Sequence, residues 1–363
     1  KQKLNIDDNY CEMNNIIKKK EYKFFREKVS FFNCNTKISK IEIKKVLNKV
    51  SEGIYKFEIS KCPICLNEDG IQLAKKDRYG LPYDLILCKC GLAYQKKRLD
   101  KVSLFDFYKN HYYKIYAENS IIDYHKQELK QGEIVYNFIT EFIDNKNIKI
   151  LEVGSGASGI LRYFKNKGFK NLTGLELDPK YVEYSNKNGI RTIQGDISTI
   201  QSEKFDLIIY NHVFEHINDL SEELMVVSDR LDKSGLLYIE VPSLDKLSDY
   251  NYNVNRFYQN AHTYNFTSNT LENLLSINSF EALKIDNFVR GVFKSALKKG
   301  TFSNYQNAVL HNLKLNRIRY FLFFLPRAII YEPIKIFKKV LKILGLFDSV
   351  KRLYYLLKTK FNL

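Results

Sequence analysis

Ile148-Lys149-Ile150-Leu151-Glu152-Val153-Gly154-Ser155-Gly156-Ala157-Ser158-Gly159 is the stretch that decides the fold of this chain. A short apolar run leads into three glycines, and a helical pattern follows them. That order predicts a strand, a tight loop and a helix. Glycine suits such a loop because the backbone must turn sharply and admit a ligand where a Cβ would clash. Gly154, Gly156 and Gly159 spell G-x-G-x-x-G, a spacing that points to a nucleotide-type cofactor without choosing one.

Downstream, strand and helix patterns alternate. Strands are expected at 148–153, 171–176, 190–193, 205–210 and 235–241. Helices are expected around 158–168, 179–187 and 219–231, with further α/β material to about 295. Such alternation predicts an α/β fold with a doubly wound, mostly parallel sheet, which binds ligands at the carboxyl ends of its strands near the switch point. The chemically expressive residues fall there. Glu152 lies two positions before Gly154. Glu176, twenty-two residues past Gly154, is placed to accept both hydroxyls of a ribose. Asp178 reads as a helix N-cap with Pro179 at the first helical position. Asp196 could accept from an adenine amino group, and Ile197 could cover the ring. Asn211-His212-Val213-Phe214-Glu215-His216-Ile217 follows the fourth strand.

Taken together, residues 148–241 resemble class I S-adenosylmethionine-dependent methyltransferases. The matching pieces are Leu151-Glu152-Val153-Gly154-Ser155-Gly156, Gly174-Leu175-Glu176-Leu177-Asp178, Gly195-Asp196 and Asp206-Leu207-Ile208-Ile209. Val213-Phe214-Glu215-His216-Ile217 and Ser234-Gly235-Leu236-Leu237-Tyr238-Ile239-Glu240-Val241-Pro242 complete the order. A dinucleotide dehydrogenase would explain the glycines and Glu176, but not Glu152, Gly195-Asp196 or Glu215-His216. The resemblance implies a Rossmann-like seven-stranded sheet and S-adenosylmethionine as cofactor. It implies Glu152, Gly154, Ser155, Gly156, Glu176, Asp196, Ile197 and Asn211 as the cofactor-binding set. A sulfonium cation without phosphate tolerates carboxylates where a pyrophosphate would repel them. His216 with Glu215 is the expected catalytic pair, since in similar sugar methyltransferases the histidine of such a pair can act as general base. His262, in Ala261-His262-Thr263-Tyr264-Asn265-Phe266, is expected to be structural.

Upstream, Cys62-Pro63-Ile64-Cys65 and Cys88-Lys89-Cys90 bracket turn signals and an apolar strand-like piece, Leu85-Ile86-Leu87. Two cysteine pairs can close a tetrahedron of thiolates around zinc. A zinc-ribbon-like module with Cys62, Cys65, Cys88 and Cys90 as ligands is therefore expected over 61–96. Its role should be structural, because four thiolates leave no open position. Cys11 and Cys34 stand alone. Residues 1–60 read as an accessory helical segment, with apolar spacing at Ile38, Ile41, Val46 and Val50. Residues 97–145 read as an aromatic and helical connector, whose tyrosines between 105 and 116 could cap a ligand pocket but are rather expected to pack between modules. The main domain is expected over 146–295.

The formal charge is +17 in 363 residues. Twelve basic residues between Lys314 and Lys360 face only Glu332 and Asp348, so the tail 296–363 carries most of the excess. Ile334, Phe337, Leu341 and Leu344 form one helical stripe there, and Lys335, Lys338, Lys339 and Lys342 another. A basic amphipathic helix of this kind can lie on an anionic membrane or an acidic partner, or simply dock with its lysines solvated. No apolar run reaches the ~20 residues of a membrane span, and the first thirty residues lack a signal-peptide core. The expectation is a cytoplasmic protein, with contact at the inner face of the membrane left open. What precedes Lys1 is open too.

A four-cysteine module ahead of such a core is similar to bacterial methyltransferases acting on sugars, many of them nucleotide-linked. The sugar C-methyltransferases of this type continue with a further α/β domain, whereas about seventy basic, helical residues follow here. That favours O-methylation. An RNA base methyltransferase with an N-terminal zinc module is the alternative raised by the positive charge. Against it, the zinc ligands are all cysteine and the charge sits in a tail; the Asn-Pro-Pro-Tyr-like motif of amino-group DNA methyltransferases is also missing after the fourth strand. A non-catalytic binding domain is a further alternative, disfavoured by the intact cofactor motifs.

Overall fold

The computed structural model describes residues 37–116 and 120–324. Cys11, Cys34 and the stripes of the basic tail from Ile334 to Leu344 lie outside the described residues. The described chain falls into two units. One comprises residues through Lys246 together with Asn255–His311, and the other Leu247–Val254 with the residues from Asn312 onward. Both sheets belong to the first. In the second, the guanidinium of Arg319 lies over the Tyr252 ring. No described helix is long and apolar enough to cross a membrane.

The first sheet is built from β1 (Phe57–Ile59), β2 (Gly70–Lys76), β3 (Pro82–Cys88) and β4 (Ala93–Leu99), in the antiparallel order β1-β4-β3-β2. The second contains β5 (Lys149–Val153), β6 (Asn171–Glu176), β7 (Arg191–Gln194), β8 (Phe205–Asn211) and β9 (Leu231–Glu240). A two-residue strand, β10 (Tyr264–Asn265), leaves this second region and pairs with β4, Tyr264 opposite Tyr94. The strands β11 (Phe280–Ile285) and β12 (Arg290–Ser295) complete the second sheet.

Its order is β11-β12-β9-β8-β5-β6-β7. The five strands β7, β6, β5, β8 and β9 run parallel, and β12 enters antiparallel to β9. This is the doubly wound seven-stranded sheet expected, with its switch point between β5 and β8. Parallel strands are buried on both faces and so need apolar residues at every position. Leu151, Val153, Ile208 and Tyr210 enter one core, while Ile150, Leu207 and Ile209 enter the other. Truncating Leu151, fully buried, would cost about 2–5 kcal/mol.

Two departures concern boundaries. The fifth parallel strand starts at Leu231, not 235, because Phe205 pairs with Leu231 and the register then jumps to Leu207 opposite Leu236. Gly235, which reads as a strand start after a turn, lies inside that irregular stretch. The cysteine sheet also shares a core with the parallel sheet: Cys62, Cys90, Tyr94 and Tyr264 belong to the same buried cluster as Leu151 and Ile208.

Candidate active site

The glycine loop joins β5 to the helix Gly159–Asn166. Gly154 and Gly156 take φ values of +68° and +49°, a region L side chains avoid. The space is closed as well as the conformation. A Cβ on Gly154 would stand 2.4 Å from Val213 Cγ2, and one on Gly156 2.1 Å from Glu128 Oε1.

Three carboxylates surround this loop. Glu176, at the end of β6, accepts N–H bonds from Gly156 (2.9 Å), Leu177 (2.8 Å) and Asp178 (2.9 Å), with the Tyr113 hydroxyl at 3.5 Å. Burial raises its pKa against the pull of those N–H groups. Glu152 is buried, with its Oε2 lacking a partner, and burial together with Glu128 pushes its carboxyl well above the usual range. Glu128, on the helix Ile121–Ile139, accepts from the Gly159 N–H at 3.1 Å, and burial raises it to about 8. A cation entering beside these buried carboxyls would favour their ionised form, so the pocket suits a cationic ligand such as S-adenosylmethionine.

Other expected residues sit differently. Ser155 is fully buried, its hydroxyl turned toward Ser158 and Gly174 behind the loop. Ile197 is buried in the core beneath the site. Asp196 is exposed and caps the following turn through Ser198. Asn211, at the end of β8, accepts from Gln131 at 3.2 Å. Tyr124, Glu128 and Gln131 are not among the residues that the sequence motifs single out. Tyr124, Glu128 and Gln131 follow helical i, i+4, i+7 spacing, a polar stripe beside the apolar one, and that signal could have found them.

Past β8 the chain turns through His212, at φ +55°, into Glu215 and His216. Glu215 is buried, no other group among the described residues hydrogen-bonds either carboxylate oxygen, and burial raises it to about 8 against the pull of its own backbone N–H. Its Oε1 stands 3.5 Å from His216 Nε2 and 3.9 Å from His262 Nε2. His216 Nδ1 lies 2.8 Å from the Ala261 carbonyl and 2.9 Å from the Tyr108 hydroxyl. A carbonyl only accepts, so Nδ1 carries the proton and Nε2 is bare. Burial pulls the His216 pKa down to about 4, leaving the ring neutral near pH 7. The rings of Tyr108, Tyr112 and His262 stand edge-on to His216. The tyrosines expected as packing between modules thus wall the site, touching Glu176 through Tyr113 and His216 through Tyr108. His262, expected to be structural, joins the same cluster.

Cys62, Cys65, Cys88 and Cys90 converge in the first sheet, their sulfurs all within 4.8 Å of one another. Cys62 and Cys90 are 3.5 Å apart, and Cys65 and Cys88 3.2 Å. Sulfurs about 2.3 Å from a tetrahedral zinc would stand about 3.8 Å apart, so the cluster fits that ion with small adjustments.

Residues 124–285 match the family model described as a methyltransferase domain. The chain is 30% identical over 112 residues to the ribosomal protein L11 methyltransferase of Alkaliphilus oremlandii, covering 28% of this chain and 34% of that protein. It thus spans about a third of that curated relative. Among solved structures, it is similar to an S-adenosylmethionine-dependent methyltransferase from Clostridium acetobutylicum, with a TM-score of 0.37 and 16% identity over 51% of this chain and 97% of the other. It is also similar to magnesium protoporphyrin IX methyltransferase from Synechocystis with bound SAH, with a TM-score of 0.41 and 12% identity over 53% and 98%. The stretch that matches the methyltransferase-domain model, residues 124–285, contains the glycine loop and the five parallel strands of the second sheet.

Proposed function

We propose that this methyltransferase transfers the methyl group to a hydroxyl of a small polar acceptor, a sugar or nucleotide-linked sugar. One observation carries the reading: the buried, unpartnered Glu215 carboxylate lies 3.5 Å from the bare Nε2 of His216, beside a wall of tyrosines. S-adenosylmethionine, when bound, supplies an electrophilic methyl on a sulfonium. The chain's residues must hold that group, align the acceptor oxygen and take its proton. Glu176 and the loop amides orient the donor. His216, fixed through Nδ1–H on Ala261, presents Nε2 to the acceptor hydroxyl and receives its proton, with Glu215 stabilising the imidazolium that forms. The buried Tyr116 hydroxyl, which also lacks a partner, offers a further polar contact to a hydroxyl-rich ligand. Zinc in the four-cysteine cluster is read as structural, holding the sheet that carries β10.

The test is a labelled-methyl transfer screen with the full chain over nucleotide sugars, glycans, RNA and protein. Label in a sugar hydroxyl supports the reading. Label only in RNA or only in protein overturns it.

A further inference from the structure

We infer that Glu215 Oε1, His216 Nε2 and His262 Nε2 form a binding site for a divalent transition-metal cation on the acceptor side of the domain, separate from the four-cysteine cluster. These three ligand atoms all lie within 4.8 Å of one another. Two of them are lone-pair atoms with no proton to offer one another. His216 Nε2 is bare because its Nδ1–H is committed to the Ala261 carbonyl, and the carboxylate accepts only. Both Glu215 oxygens are buried without a hydrogen-bond partner from another described residue, an arrangement that costs free energy unless a cation or proton occupies the gap.

A proton alone serves poorly. A hydrogen bond from a protonated Glu215 to His216 Nε2 would span 3.5 Å, beyond the usual range. A metal serves better. Nitrogen and oxygen ligands about 2.0–2.2 Å from one ion stand roughly 3.0–3.5 Å apart, so separations of 3.5 and 3.9 Å need only small closure. The surroundings are those of a held ligand: a carbonyl on the far nitrogen fixes the His216 tautomer and ring orientation, and the Tyr108 hydroxyl at 3.1 Å donates to that same carbonyl. Imidazole with carboxylate selects zinc, iron, cobalt, nickel or manganese over magnesium or calcium. His212 Nδ1, 3.9 Å from Glu215 Oε1 and half exposed, can join or leave, so coordination positions stay open.

The consequence rests on the acceptor-side reading above and replaces only its base: an acceptor hydroxyl bound at an open position would be acidified by the cation and lose its proton to solvent, with His216 Nε2 held as a ligand.

The test uses the full chain with its cysteine cluster loaded with zinc. Mn2+ is titrated and followed by paramagnetic resonance and calorimetry, since manganese favours oxygen and nitrogen ligands over thiolates. The expected result is one Mn2+ bound per chain, with affinity falling at least tenfold in His262→Gln and in Glu215→Gln. Should either variant misfold, the wild-type protein still decides. Bound Mn2+ should broaden the imidazole signals of His216 and His262 more strongly than those of His111 and His125. No binding, binding unchanged in both variants, or stronger broadening at His111 or His125 would overturn the inference. Sugar methylation without metal binding would overturn this inference alone, and bound metal with label only in RNA would overturn the acceptor reading alone.

Discussion

The carboxylate of Glu128 accepts the backbone N–H of Gly159 at 3.1 Å, although the two residues lie on different helices 31 positions apart. The approach depends on small residues. A Cβ on Gly159 would come within 2.5 Å of Glu128 Cβ and of the His125 carbonyl, and one on Gly132 within 2.6 Å of Tyr163. The helix ahead of β5 is thereby pressed onto the glycine loop and delivers a third carboxylate to the donor site. Glu128→Gln keeps the shape and removes the carboxyl that a bound cation would ionise. Donor affinity should fall about tenfold, or 1.4 kcal/mol, by calorimetry with S-adenosylmethionine. An unchanged affinity would remove Glu128 from the site.

The glycine loop makes its own prediction. Gly156→Ala forces φ +49° on an L residue and drives its Cβ into Glu128 and Tyr124, so donor binding should weaken by more than tenfold. Gly189→Ala, also at positive φ but with only the Lys165 ammonium within 4 Å, should lose stability and keep donor affinity. Equal affinity losses in the two would contradict a positional role for Gly156.

The raised carboxylates fix a pH dependence. Glu128 is raised to about 8 and Glu223 to about 7, both chiefly by burial, so above their unfolded values the folded state binds more protons than the unfolded one. Stability from these groups is present at low pH and is lost as pH rises through the folded values. His216, lowered by burial to about 4, works the other way, but only below about pH 6.5, where the unfolded imidazole charges. Without donor, the melting temperature should therefore fall between about pH 6.5 and 8. Glu128→Gln should flatten that slope in a thermal-shift series, and a slope of the same size in the variant would refute the assignment.

The cysteine cluster shares its buried core with the parallel sheet, so loss of its metal should reach the donor site. Cys62→Ser should abolish stoichiometric zinc by elemental analysis and lower the melting temperature by about 3–5 °C, as expected for a loss of a few kcal/mol in a chain of this length. Full zinc content in the variant would contradict the ligand set.

Much of this was legible from residue order because local physics writes it there. The apolar run of β5 and the glycines after it need no distant partner to be read, and Glu176 and Asp178 follow from where a strand ends and a helix begins. The burial of the Ser155 and Ile197 side chains depends on the turn of each loop against the sheet, which residue order does not encode. What Glu128 and Tyr113 meet, and the linkage through β10, depend on helix crossing and strand pairing between segments far apart, which no local pattern encodes. The Tyr108–His216–Ala261 arrangement is of that kind as well: three residues from three stretches that meet only in the folded chain.

Methyl transfer measured in wild type and in His216→Gln tests the central claim most directly. With a sugar acceptor, wild type should place label on a hydroxyl oxygen, and His216→Gln should lower kcat by about 10²–10⁴-fold while the donor Kd is unchanged. Label absent from every sugar, or a variant as fast as wild type, would contradict the account.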